Sequence, residues 1–136
     1  MTKILIIEAR FYDNIADLLL EGATRALLEE GVEFDVITLS GALEIPAVIY
    51  AAKHRYDGFV ALGCVLRGET YHFEIVANES ARGIMDLTIR ENLSIGNGIL
   101  TCETEEQAIE RAGKYDKGRF TVEACLNLIK IKQGLK

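Results

Sequence analysis

The stretch Ala61 to Glu74 reads Ala-Leu-Gly-Cys-Val-Leu-Arg-Gly-Glu-Thr-Tyr-His-Phe-Glu and carries the chain's most suggestive chemistry. An apolar run ends in the polar loop Arg67-Gly68-Glu69-Thr70, and His72 opens an amphipathic segment. Backbone N–H groups, a hydroxyl and a cation at a helix N-terminus can hold an anion. Histidine as a residue type titrates near neutrality and can carry a proton. An anion beside a proton carrier is therefore the chemistry to test. A histidine near a helix start is also an ordinary surface or capping residue, and it is the company of Arg67, Gly68 and Thr70 that favours the functional reading. The other histidine, His54, lies in Ala52-Lys53-His54-Arg55-Tyr56 among cations and reads as solvated.

Residue types narrow the ligand. The chain contains neither GxGxxG nor GxxxxGK[ST], which excludes the dinucleotide and P-loop signatures and leaves a single phosphate as the expected anion. A phosphate wants a fixed cation, and Arg67 and Arg111 are the candidates, although Arg111 in Glu110-Arg111-Ala112 equally suits a solvated helix face. Phe11 follows a strand end and serves either as a loop plug or as a platform for a ring. Glu44 is a first-turn carboxylate, favoured there by the helix dipole whether or not it meets a ligand. Asn97 stands between Gly96 and Gly98, which would let a ligand approach the backbone at a strand end. No nucleophile elbow, Ser-His-Asp set or metal cluster appears, so covalent and metal-assisted hydrolysis have no support.

Composition sets the frame. With 136 residues and about half of them apolar, the chain forms one domain, 1–136, able to bury a real core. The net charge of −6 and the lack of a basic run argue against nucleic-acid binding. No long uncharged apolar window suits a membrane span, and the short N-terminal apolar run does not read as a signal peptide. The expectation is a cytoplasmic protein. Cys64, Cys102 and Cys125 are scattered, with no CxxC, and read as small buried hydrophobes in a reducing compartment.

Periodicity supplies the elements that must position these residues. Strands are expected at Lys3 to Ile7, Glu33 to Leu39, Gly58 to Leu66 and Ser94 to Thr101, the last interrupted by Gly96-Asn97-Gly98. Asp13 or Asn14 can cap a helix running to about Glu30, where Gly31 ends it. Pro46 suits the first turn of a helix closing near His54. A long helix follows from His72 to Glu91, and Thr104-Glu105-Glu106-Gln107 has the form of a capping box before a short helix. A last helix starts near Lys117-Gly118. Alternating apolar strands and helices mean a parallel sheet with right-handed crossovers: a three-layer α/β/α sandwich around a four-stranded parallel flavodoxin-like sheet. Ligands sit beyond the C-terminal strand ends of such sheets. Arg10-Phe11, Ser40 to Glu44, Cys64 to His72 and Asn97 to Thr101 should meet there.

Four blocks then match a known family. They are Arg10-Phe11, Gly41-Ala42-Leu43-Glu44-Ile45-Pro46, the Gly63 to Glu74 stretch, and Gly98-Ile99-Leu100-Thr101 leading through Glu106-Gln107-Ala108-Ile109-Glu110-Arg111-Ala112-Gly113 to Lys117-Gly118. In this order and over nearly the whole chain, they resemble the 6,7-dimethyl-8-ribityllumazine synthase family. The resemblance implies condensation of 5-amino-6-(D-ribitylamino)uracil with 3,4-dihydroxy-2-butanone 4-phosphate in riboflavin biosynthesis, without metal or cofactor. It also implies roles by position. Phe11 would stack on the pyrimidine, Ala42, Leu43 and Glu44 would hold its ribityl chain, and Cys64, Val65 and Leu66 would read the ring edge through backbone groups. Glu69, Thr70 and Arg111 would bind the butanone phosphate, and His72 would transfer protons. The family's site lies between adjacent subunits of a pentameric ring, so Asn97 and Arg111 would serve the neighbour's substrates.

Three departures qualify the match. Ser40 stands where a proline is usual, and Leu43 and Asn97 stand where aromatics are frequent. The chain starts directly on its first strand, which favours an isolated pentamer over a larger capsid. Two rival readings share the fold, an archaeal-type riboflavin synthase and a non-catalytic flavin- or lumazine-binding assembly protein. Against them stand the Arg67 to His72 block and Arg111 as phosphate holder, with Lys117 retained as well.

Overall fold

The computed structural model describes Met1–Lys136. The chain alternates β1 (Lys3–Ala9), α1 (Asp13–Glu29), β2 (Glu33–Leu39), a 3-10 turn (Ala42–Glu44) running into α2 (Ile45–Ala51), β3 (Gly58–Leu66), α3 (His72–Arg90) and β4 (Ile95–Cys102). Two helices, α4 (Glu105–Ala112) and α5 (Lys117–Gly134), complete it. The strands form one parallel sheet in the order β2-β1-β3-β4. No helix is long and apolar enough to cross a membrane.

The continuous apolar runs of β1 and β3 follow from burial on both faces. Ile4, Ile6, Val60 and Leu62 point into a core completed by Ile15, Leu19 and Leu27 of α1, Ala108 of α4 and Val122 of α5. Their alternates Leu5, Ile7, Phe59 and Ala61 meet Ile45 and Ile49 of α2 and Val76, Ile84 and Leu87 of α3. Thus α1, α4 and α5 cover one face and α2 and α3 the other, which gives the expected three-layer sandwich.

Local signals fold as their chemistry dictates. Gly31 adopts φ +66° after α1, while the N–H of Gly31 and of Val32 donate to Leu28 and Leu27 in a Schellman closure. Thr104 and Gln107 exchange the two bonds of the capping box. Pro46 sits in the first turn of α2, and its ring packs where a side chain at Gly83 of α3 would stand.

Three expectations change. Helix α2 ends at Ala51, and residues 52–55 form turns rather than carrying the helix to His54. Neither Asp13 nor Asn14 caps α1; the N-cap is Tyr12, without a side-chain bond, and Asp13 is already helical. Finally, β4 is unbroken. Gly96, Asn97 and Gly98 pair in register with Val60, Ala61 and Leu62, and the two glycines make room for α5 on one face while Asn97 is exposed. A Cβ on Gly96 would lie 2.2 Å from the Thr121 carbonyl, and one on Gly98 2.4 Å from Thr121 Oγ1.

Candidate active site

In this strand order the chain leaves β1 for one edge of the sheet and β3 for the other, so a crevice opens between their C-terminal ends. A cleft of about 250 Å³ occupies it, lined by Ala9, Phe11, Tyr12, Gly41, Ala42, Leu43, Glu44, Cys64, Val65, Leu66, His72 and Val76. Three of the four segments expected at this edge therefore meet.

Each lining element has a local cause. The end of β3 brings Cys64, Val65 and Leu66 to the rim, paired with Leu100, Thr101 and Cys102 of β4. Gly63, just before them, lies against Ala9 and Ala42, so that β1 and the 3-10 turn close on the strand without a side chain between. The Glu44 side chain folds back over Gly41, where a Cβ would stand 2.8 Å from its Oε1. Phe11 is 74% exposed and Leu43 40%, two apolar surfaces presented to the opening and not consumed by the core. His72 is the first residue of α3, and its backbone N–H donates to Thr70 Oγ1 at 3.4 Å.

Electrostatics sort the candidates further. Burial pushes the Cys64 thiol up to about 12, so it is a neutral wall rather than a nucleophile. Burial also raises the Tyr12 phenol above its ordinary value, with Cys64 and Glu105 adding to it. Arg67 is committed elsewhere. It ion-pairs with Glu74 and, at 2.8 Å, with Glu103, and its guanidinium lies 4.5 Å over the Phe73 ring. Those carboxylates raise its pKa, Glu74 first, and its expected role as free phosphate cation is thereby removed. No arginine or lysine lines the cleft.

Phe11, Ala42, Leu43, Glu44, Cys64, Val65, Leu66 and His72 thus come together as the sequence suggested. Glu69 and Thr70 lie in the exposed loop at the mouth and do not line the cleft. Asn97 is not at a strand end. It pairs with Ala61 in the body of the sheet, and its Oδ1 accepts from the Ile99 N–H at 3.0 Å. Arg111 is on α4, across the sheet from α3, and its Nη1 donates only to the Gln107 carbonyl at 3.3 Å, with no carboxylate partner. The sequence reading passed over Tyr12. Its signal was the aromatic pair itself: Phe11 and Tyr12 meet edge to face with centroids 4.9 Å apart.

Comparison with known proteins decides the family. The family model described as 6,7-dimethyl-8-ribityllumazine synthase matches residues 1–133. The chain belongs to this family. It is 58% identical over 135 residues to the 6,7-dimethyl-8-ribityllumazine synthase of Bartonella tribocorum, covering 96% of this chain and 89% of that protein. It is 56% identical to 6,7-dimethyl-8-ribityllumazine synthase 1 of Rhizobium meliloti, covering 97% and 92%, and 57% identical to the Agrobacterium fabrum protein of the same family name, covering 97% and 95%.

Proposed function

We infer that the chain is an enzyme of riboflavin biosynthesis. It condenses 5-amino-6-(D-ribitylamino)uracil with 3,4-dihydroxy-2-butanone 4-phosphate to give 6,7-dimethyl-8-ribityllumazine, phosphate and water. The observation that carries this reading is the cleft at the β1/β3 crevice, which joins Phe11, Leu43 and His72 in a member of this family.

The reaction needs position and proton movement. The pyrimidine's primary amine adds to the butanone carbonyl and water leaves to form an imine. Phosphate departs with its C–O bond pair as a proton is lost from the carbon skeleton, and the ribityl-bearing nitrogen closes the second ring with loss of water. Every step moves protons between nitrogen, carbon and oxygen. A positioned general acid–base group typically contributes about 10²–10⁴-fold, and fixing two substrates together contributes several kcal/mol more. His72, at the cleft mouth beside the phosphate loop, is the proposed proton carrier. Phe11 stacks on the pyrimidine, Ala42, Leu43 and Glu44 hold its ribityl chain, and the backbone of Cys64, Val65 and Leu66 reads the ring edge.

The phosphate demands more than one chain's cleft supplies. Glu69 carries the wrong charge to bind phosphate through its side chain, so its contribution is the backbone N–H beside the Thr70 hydroxyl. The lining holds no arginine or lysine, and Arg67 is paired with Glu74 and Glu103. Arg111, on α4 outside the cleft lining and without a carboxylate partner, is the proposed cation, delivered with Asn97 by an adjacent copy in a pentameric ring. Three free cysteines, two of them buried, suit a reducing compartment, and the cytoplasm is the proposed location. The direct test is to mix both substrates with the purified protein and follow the visible absorbance of the lumazine together with phosphate release. Stoichiometric growth of both is expected; release of neither overturns the assignment.

A further inference from the structure

One polar cluster lies outside the cleft and is not used by the chemistry above. Glu8 occupies the penultimate position of β1 on the face that carries Ile4 and Ile6, and it is only 4% exposed. An apolar residue there would simply continue the core. Instead the Glu8 carboxylate accepts from Arg10 Nε at 3.1 and 2.9 Å and from Thr38 Oγ1 of β2 at 2.6 Å. Arg10 reaches on across the loop. Its Nη1 donates to Asp17 Oδ1 of α1 at 2.7 Å, with Asp13 3.6 Å away, and its backbone N–H donates to the Leu39 carbonyl at the end of β2 at 2.9 Å.

Burying a carboxylate is costly unless it is paired, and a buried pair is poor evidence of a gain in stability. What this cluster gains is geometry. Only Arg10, Phe11 and Tyr12 connect β1 to α1, and the Arg10 side chain ties the strand before this loop to the helix after it. Phe11 projects from the same loop with 74% of its surface exposed, so core packing does not fix its position. Apart from the edge contact with Tyr12, its direction is inherited from the backbone that carries it.

We propose that Glu8, Arg10 and Thr38 are positioning residues for the pyrimidine subsite: the Thr38–Glu8–Arg10–Asp17 chain of hydrogen bonds holds the β1–α1 loop so that Phe11 faces the ring. None of the three touches substrate; they act through Phe11. The inference rests on the functional reading above, because it assumes that Phe11 stacks on the pyrimidine.

The test uses Glu8→Gln and Thr38→Val, each keeping volume while removing a charge or a hydroxyl, in the full-length protein. Both should raise the KM for the pyrimidine about fivefold, the scale of a misplaced aromatic contact, with kcat and the KM for the butanone phosphate unchanged. Coupling to Phe11 supplies the second readout. Glu8→Gln added to Phe11→Ala should leave the pyrimidine KM where Phe11→Ala alone puts it, because the ring to be positioned is gone. Equal rises for both substrates, no rise for either, or full additivity with Phe11→Ala would overturn the proposal, and so would loss of folding in both conservative variants, which would make the cluster a structural one. Failure of the wild-type chain to make lumazine is a separate outcome that rejects the functional reading itself.

Discussion

Two glycine-bearing regions of this sheet look alike in the sequence and do opposite work. At the β1/β3 crevice, Gly41 and Gly63 draw three segments together and leave an open cleft above them, while Gly68 in the mouth loop has no atom within 4 Å of where a side chain would begin. Under α5, Gly96 and Gly98 are filled by Thr121, and a Cβ on Gly58 would lie 2.6 Å from Cys125 Sγ. Glycine permits close approach in both places. Only the register of the strands decides whether the visitor is a ligand or a helix.

The most severe way to break the comparison is to add one methyl group to each side. Gly96→Ala drives a Cβ into the Thr121 backbone and should cost about 3 kcal/mol, the upper range for overpacking, whereas Gly68→Ala should change stability by less than about 0.5 kcal/mol. Thermal midpoints at matched protein concentration read the contrast. On the open side, His72→Ala should lower kcat about 10²-fold while pyrimidine binding, measured by titration without the second substrate, stays within about twofold of wild type. Arg111→Ala should raise the KM for the butanone phosphate about tenfold, the scale of a charge-assisted hydrogen bond, with the pyrimidine KM little changed.

The packed side gives a smaller, pH-dependent signal. Burial pushes the Cys125 thiol, whose Sγ donates to the Ser94 carbonyl at 3.4 Å, up to about 12. The folded state therefore keeps a proton that the unfolded chain releases near the ordinary thiol value of about 8.5. Stability contributed this way is complete below that value and is lost as pH rises toward 12. Cys125→Ala should reduce the alkaline slope of stability by up to about 1.4 kcal/mol per pH unit, seen as a shallower fall of the thermal midpoint above pH 9.

Much of this architecture was legible because the signals are local. Continuous apolar runs marked buried strands, Gly31 and Thr104 marked helix ends, and the residues from Cys64 to His72 lie on one strand and the loop it feeds. Two errors were at helix ends, the cap of α1 and the close of α2; those that bear on the site were non-local. Asn97 looked like a strand-end residue because flanking glycines resemble an interruption, and nothing short of pairing with Ala61 reveals its level in the sheet. Arg67 looked free because its partner Glu103 is distant in sequence, and the Glu8–Thr38 bond spans two elements. Glu8 did leave a trace, a carboxylate closing an apolar run, but that trace does not name its partners. Arg111 is the sharpest case: the resemblance gave it a role, and the fold leaves it on α4, outside the lining of the cleft it would serve.

That separation lets a shared site be tested by mixing two variant chains. If each site takes His72 from one copy and Arg111 from the next, slowed His72→Ala and weakly binding Arg111→Ala chains should complement when dissociated, mixed and reassembled. Random mixing in equal amounts would leave roughly a quarter of the sites with both groups intact. Recovery of activity toward that fraction is expected at low butanone phosphate, above the sum of the two variants alone. No recovery in assemblies shown to contain both chains would contradict a shared site, and would place both groups in a site made by one chain.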